Sequence, residues 1–96
     1  MQTYVALVDF TAQGVENLNQ SPERAEAFVN WAKSKGVVVK DLYWTTGGHD
    51  GVLVVEAPDE IAATSTFLKL ASGGNVRTQT MRAFTREEFE SCLPKP

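Results

Sequence analysis

The chain predicts an α+β domain in which an antiparallel sheet carries its helices on one face. Three observations support this: a glycine-rich turn joins two apolar strands, two amphipathic helical stretches each sit between strands, and the strands carry apolar residues in both alternating sets. Each element follows from its residues.

Tyr4 to Phe10 is dense in β-branched, aromatic and small apolar residues and stops at Thr11-Ala12-Gln13-Gly14, which predicts a first strand over about residues 3 to 10. Thr11 is placed to cap a short helical turn after it. Ser21-Pro22-Glu23 opens the first long helix: a serine cap, a proline at the first helical position and an acid in the first turn all suit the free amides there. Ala25, Phe28, Val29 and Ala32 recur at helical spacing as one apolar stripe. Lys33, Lys35 and Gly36 supply a basic last turn and a terminal glycine, giving a helix of about 14 residues that begins at Pro22.

Val37 to Thr46 reads as the second strand and Gly51 to Ala57 as the third, with the intervening glycines permitting positive φ where the chain reverses. Pro58-Asp59-Glu60 then starts a second helix. Its buried row is expected to be Ile61, Thr64, Leu68 and Ala71, with Phe67 and Leu70 beside it, before Gly73-Gly74 closes it. Val76 to Phe84 returns as a strand with polar alternation, and Thr85-Arg86-Glu87-Glu88 is a capping box for a terminal helical turn ahead of Pro94.

The order β, α, β, β, α, β, then a short α, is the split βαβ or ferredoxin-like plan, in which the first and third strands lie in the centre of the sheet. In the first strand Tyr4, Ala6, Val8 and Phe10 point one way and Val5 and Leu7 the other; in the third, Val52 and Val54 oppose Leu53 and Val55. Two helices cover only one face, so a monomer would leave several hundred Å² of apolar sheet in water. A sheet-to-sheet homodimer, the dimeric α+β barrel arrangement, is the simplest cover, because two-fold association is the commonest oligomer geometry.

With 96 residues the chain is the size of a single domain spanning 1–96, and its 43% hydrophobic content is ample for a core. Nine Lys and Arg against twelve Asp and Glu give a net charge of −3, which leaves no basic footprint for nucleic acid. No apolar run approaches the roughly 20 residues that cross a bilayer, and the N-terminus lacks the pattern of a secretory signal, so the expectation is a cytoplasmic protein off the membrane. Cys92 is the one cysteine and can form no internal disulfide. Gly47-Gly48 and Gly73-Gly74 match no phosphate-loop pattern, and one histidine with one cysteine 43 positions away gives no metal-ligand spacing, so no cofactor is expected.

Words spread along nearly the whole chain carry a resemblance. They are Thr3-Tyr4-Val5, Thr11-Ala12-Gln13-Gly14, Ser21-Pro22-Glu23-Arg24, Tyr43-Trp44-Thr45-Thr46-Gly47, Glu56-Ala57-Pro58-Asp59 and Gly74-Asn75-Val76-Arg77-Thr78-Gln79-Thr80 running into Ala83-Phe84-Thr85. Together they resemble the GYD domain family of small microbial proteins. The chain departs from the family at its eponymous Gly-Tyr-Asp triplet, where it has Gly48-His49-Asp50. The resemblance implies a ferredoxin-like domain of the dimeric α+β barrel type and no settled reaction. Other barrel families similar in plan include cofactor-free monooxygenases and isomerases, which bind small ligands between sheet and helices; that analogy lives at the level of fold, not of chemistry.

The candidate ligand-binding set is Tyr43, Trp44, His49, Asp50 and Arg77. His49 is the only side chain whose ordinary pKa lies near neutrality and is the candidate general acid or base, against the plainer reading of a solvated loop residue. Asp50 either orients His49 or bonds backbone amides as a turn residue. Arg77 could hold a carboxylate or phosphate, or simply keep an edge strand polar. Tyr43 and Trp44 point to opposite faces, so one of them at most lines a given cavity, and packing is the competing role for Trp44 and Trp31 alike. Two functions remain open: a homodimeric module that binds a small organic ligand or serves in assembly, with no nameable reaction, and a cofactor-independent monooxygenase or isomerase that works with His49 and Arg77.

Overall fold

Strand alternation decides which residues of this protein meet the helices. In the computed structural model, which describes residues 1–95, strand β1 (Gln2–Phe10) turns Tyr4, Ala6 and Val8 inward, and strand β3 (Gly51–Ala57) does the same with Leu53, Val55 and Ala57. Strands β2 (Val38–Trp44) and β4 (Val76–Ala83) flank them in the order β2-β3-β1-β4, every neighbouring pair antiparallel. The ferredoxin-like α+β plan expected from the element order is the one observed.

Helix α2 (Ser21–Ser34) packs on β2, and α3 (Glu60–Ser72) on β3 and β4. Phe28 and Ala32 of α2 and Ala63, Thr66 and Phe67 of α3 complete the core with Val37. Thr66 meets the demand of its burial by donating its hydroxyl to the Ala62 carbonyl at 2.8 Å. In β2 the register shifts between Val39 and Asp41, so that Val39, Leu42 and Trp44 all pair with helix-facing positions of β3 although their parity differs.

The short helix α1 (Ala12–Glu16) is capped by Thr11, whose hydroxyl accepts from the Gly14 amide, and a 3-10 turn (Leu18–Gln20) leads into α2. Helix α4 (Arg86–Cys92) opens on the capping box formed by Thr85 and Glu88. The Thr85 amide donating to the Glu88 carboxylate is the main reason that Glu88 is held below its ordinary pKa.

Two local expectations are corrected. The buried side of α3 is Ala63, Thr66 and Phe67 with Leu70 partly covered, whereas Ile61, Thr64, Leu68 and Ala71 face outward, Ile61 at 82% exposure. Both rows have helical spacing, so the periodicity admits either, and the sheet selects the row that places the ring of Phe67 in the core. Ser21 does not cap α2; it is the first helical residue, and its hydroxyl accepts from the Trp44 indole N–H at 3.0 Å instead.

The opposite side of the sheet is bare. Val5 pairs with Val54 and Met81, and Leu7 with Val52 and Gln79, so these side chains share the face that no helix covers. Tyr43, Val38 and Met81 at its flanks are 61, 47 and 48% exposed.

Candidate functional site

The sheet separates two regions, and the five sequence-chosen residues divide between them. On the helix side α2 and α3 stand apart and leave a cavity of about 430 Å³ over β1, β2 and β3. Its walls are mostly apolar, with Phe28, Trp31, Leu42, Leu53 and Leu70 among them, and that size and character match sites for small molecules, typically about 300 to 1,000 Å³. Of the candidates, Trp44 turns into this space, and the hydrogen bond to Ser21 fixes its ring against the start of α2. Tyr43 borders the cavity as well, but alternation with Leu42 and Trp44 sends its ring to the bare face.

His49, Asp50 and Arg77 are elsewhere. The His49 Nδ1 lies 3.2 Å from both carboxylate oxygens of Asp9, a residue at the far end of β1 whose side chain points to the bare face. Arg77 faces Asp9 across the β1–β4 ladder, and its neighbour Val76 is the one that lines the cavity. His49, Asp9 and Arg77 therefore gather at one corner of the bare face. Asp50 does not touch the histidine. It extends the sheet: its amide donates to the Val8 carbonyl and its carboxylate accepts from the Phe10 amide, both at 2.9 Å, while the Thr45 amide donates to its carbonyl. That bonding pins the hairpin tip to β1 and so presents His49 to Asp9.

A second convergence joins distant stretches. The Thr11 amide donates to the Asn75 carbonyl at 3.0 Å, its hydroxyl to the Gly74 carbonyl at 2.6 Å, and the Gln13 amide group to the Gly73 carbonyl at 3.0 Å. Gly14 lies so close that a Cβ there would stand 2.0 Å from the Asn75 oxygen. Gly74, at φ +78°, makes the turn that offers these carbonyls. Two of the words that carry the family resemblance are thus the two halves of one clasp between α1 and the entry to β4.

Sequence reasoning passed over Asp9, Arg24 and Lys69. Asp9 carries no local signal, since its partner is 40 residues away. Arg24 did leave one: with Phe28 and Trp31 it forms an i, i+4, i+7 row, a cation inside an apolar stripe. Among the described residues no group of three His, Cys, Asp or Glu is placed to hold a metal ion, and no helix is long and apolar enough to cross a membrane.

The fold and the two-sided sheet define a small ferredoxin-like α+β protein. Its family is settled by sequence: the GYD domain model matches residues 4–93, and the chain belongs to that family. A protein of Thermus thermophilus named glutamine synthetase and cystathionine beta-lyase binding protein is 38% identical over 84 residues, covering 86% of this chain and 88% of that one. Among solved structures, FFRP-DM1 superposes with a TM-score of 0.64 at 21% identity over 88% of this chain and all of its own. MtbAldR superposes at 0.62 and 17% identity, over 88% of this chain and 54% of its own. At those identities both speak for the fold.

Proposed function

We propose that this protein is a binding module that pairs with a second copy of itself through the bare face of its sheet and, so assembled, engages another protein. The observation that carries the reading is that face itself. Val5, Leu7, Val52 and Val54 form its uncharged centre, while Asp9, Arg77, Asp41 and Glu56 stand around them. An apolar centre within a polar rim is the anatomy of a protein interface, and monomeric proteins rarely leave so continuous an apolar patch in water. Helix α4 buries none of its residues, and Phe89 and the C-cap residue Leu93 stand 56 and 53% exposed, a further apolar surface for a partner.

The Thermus thermophilus relative is named for its binding to two enzymes, which supports a protein partner here and makes glutamine synthetase and cystathionine beta-lyase the first to try. The alternative, a cofactor-independent oxygenase or isomerase using His49 and Arg77, would draw on the corner of the bare face where these two meet Asp9, away from the cavity between α2 and α3.

Native mass spectrometry and light scattering test the assembly. The wild-type chain is expected as a dimer, and Val54→Lys, which sets a charge at the centre of the face, as a folded monomer by circular dichroism. A wild-type monomer at micromolar concentration refutes the pairing. Biolayer interferometry with the two purified enzymes reads the partner separately.

A further inference from the structure

We propose that the cavity between α2 and α3 is a binding site for a small organic carboxylate, its apolar body held by the aromatic and aliphatic walls and its anionic head by Arg24. The proposal goes beyond the assembly reading and is independent of it, because the cavity and the bare face lie on opposite sides of the sheet.

Arg24 lines the cavity, and its two terminal nitrogens are treated differently by the protein. The Nη1 group donates to the Asn17 carbonyl at 2.7 Å, which anchors the guanidinium. Nη2 is sealed from solvent with no acceptor among the described residues. A buried cationic donor without an acceptor is costly, and native proteins rarely leave one so. No salt bridge occupies Arg24 among the described residues. The guanidinium is anchored at Nη1 and Nη2 stands out of solvent contact, so a small turn about that anchor is what would carry Nη2 to a carboxylate in the cavity, an acceptor that neutral groups match poorly.

The charge of the lining agrees. The chain has twelve Asp and Glu and a net charge of −3, yet none of the twelve lines this cavity, whereas two cations do. The second is Lys69, exposed at the rim with its Nζ 5.6 Å from the centre of the Trp31 ring. An anionic ligand meets two positive groups and no negative one; a cationic ligand finds no counter-ion. The walls between, Phe10, Phe28, Trp31, Leu42, Leu53 and Leu70, offer a hydrocarbon body dispersion contacts and little hydrogen bonding. Beside Arg24, the Ser21 hydroxyl has accepted the Trp44 N–H and keeps its own proton to donate.

The test uses three carboxylates of differing body, hydrocinnamate, naphthoate and octanoate, each beside its neutral amide. Binding to the wild-type protein is followed by the ¹⁵N–¹H signals of the two tryptophan indoles. At least one carboxylate is expected to bind about 10- to 100-fold tighter than its amide, the ratio a hydrogen bond to a charged group commands, and to shift the Trp44 and Trp31 signals together. Arg24→Gln is expected to bring that acid down to the affinity of its amide, and Lys69→Gln to weaken it less. Equal binding of every acid and amide pair to the wild type, no binding by any of the six compounds, or a preference for the acid that survives Arg24→Gln in a folded variant overturns the assignment. The wild-type series decides the matter even if the Arg24 variant fails to fold.

Discussion

Gly14 holds its place for a steric reason that the residue type alone does not announce. It lies in a helix, where glycine is ordinarily a cost, and its backbone has no need of positive φ. What excludes a side chain is the Asn75 carbonyl 2.0 Å from where a Cβ would be. Gly14→Ala is therefore expected to destabilise the fold by about 2 kcal/mol, in the range of overpacking, read as a lower urea midpoint at unchanged slope. A midpoint equal to wild type would mean that α1 shifts freely on the Asn75 turn and that the clasp is not a rigid contact. His49 illustrates the complementary case. Its neighbour Asp50 bonds backbone amides, the plainer of the two roles its sequence context offered, and the partner of His49 in space is Asp9.

At the scale of elements, α3 and α4 lead to separate expectations. Helix α3 offers two apolar rows, and the sheet covers only the one through Ala63 and Phe67. Phe67→Ala is expected to cost about 3 to 5 kcal/mol and Ile61→Ala no more than about 0.5 kcal/mol. Comparable losses at both positions, by chemical denaturation, would contradict the observed orientation. In α4 the capping box ties helix stability to the ionisation of Glu88. Its folded-state pKa is lowered, so the contribution is present above the ordinary glutamate value and is lost as pH falls through the lowered one. Titration of the Glu88 carboxyl by NMR is expected to give a midpoint below that of glutamate in an unstructured peptide; a midpoint at or above it would remove the capping interaction. The Thr85 and Glu88 spacing made this element legible, since a capping box is a local pattern with a local cause.

For the whole molecule, the consequence of a four-stranded sheet with helices on one side is an asymmetry of solvent. One face is a core with a cavity left where α2 and α3 diverge; the other is apolar and uncovered. The longest dimension, 53 Å, against a shortest of 18 Å, and a radius of gyration of 14.5 Å exceed what about 100 residues need when packed as a sphere, roughly 13 Å. An elongated chain with an uncovered sheet and an unburied terminal helix has surface to spend on association. The bare face and the cavity lie on opposite sides of the sheet, so a substitution on one can be read without altering the other.

The element order, the strand faces, the hairpin and the helix starts capped by Thr11 and Thr85 were determined by the sequence alone. Each rests on a period or on a residue's own hydrogen-bonding capacity, and both act within a few positions along the chain. The family was legible too, because its words are contiguous. Only the tertiary structure decided which of two apolar rows on α3 is buried, that Asp9 and not Asp50 meets His49, and that Trp44 and Arg24 share a cavity from which His49 and Arg77 are excluded. Those outcomes depend on residues 20 to 60 positions apart being brought side by side, and such proximity is set by how helices seat on the sheet and by the register of β2, neither of which leaves a periodic trace in the residues concerned.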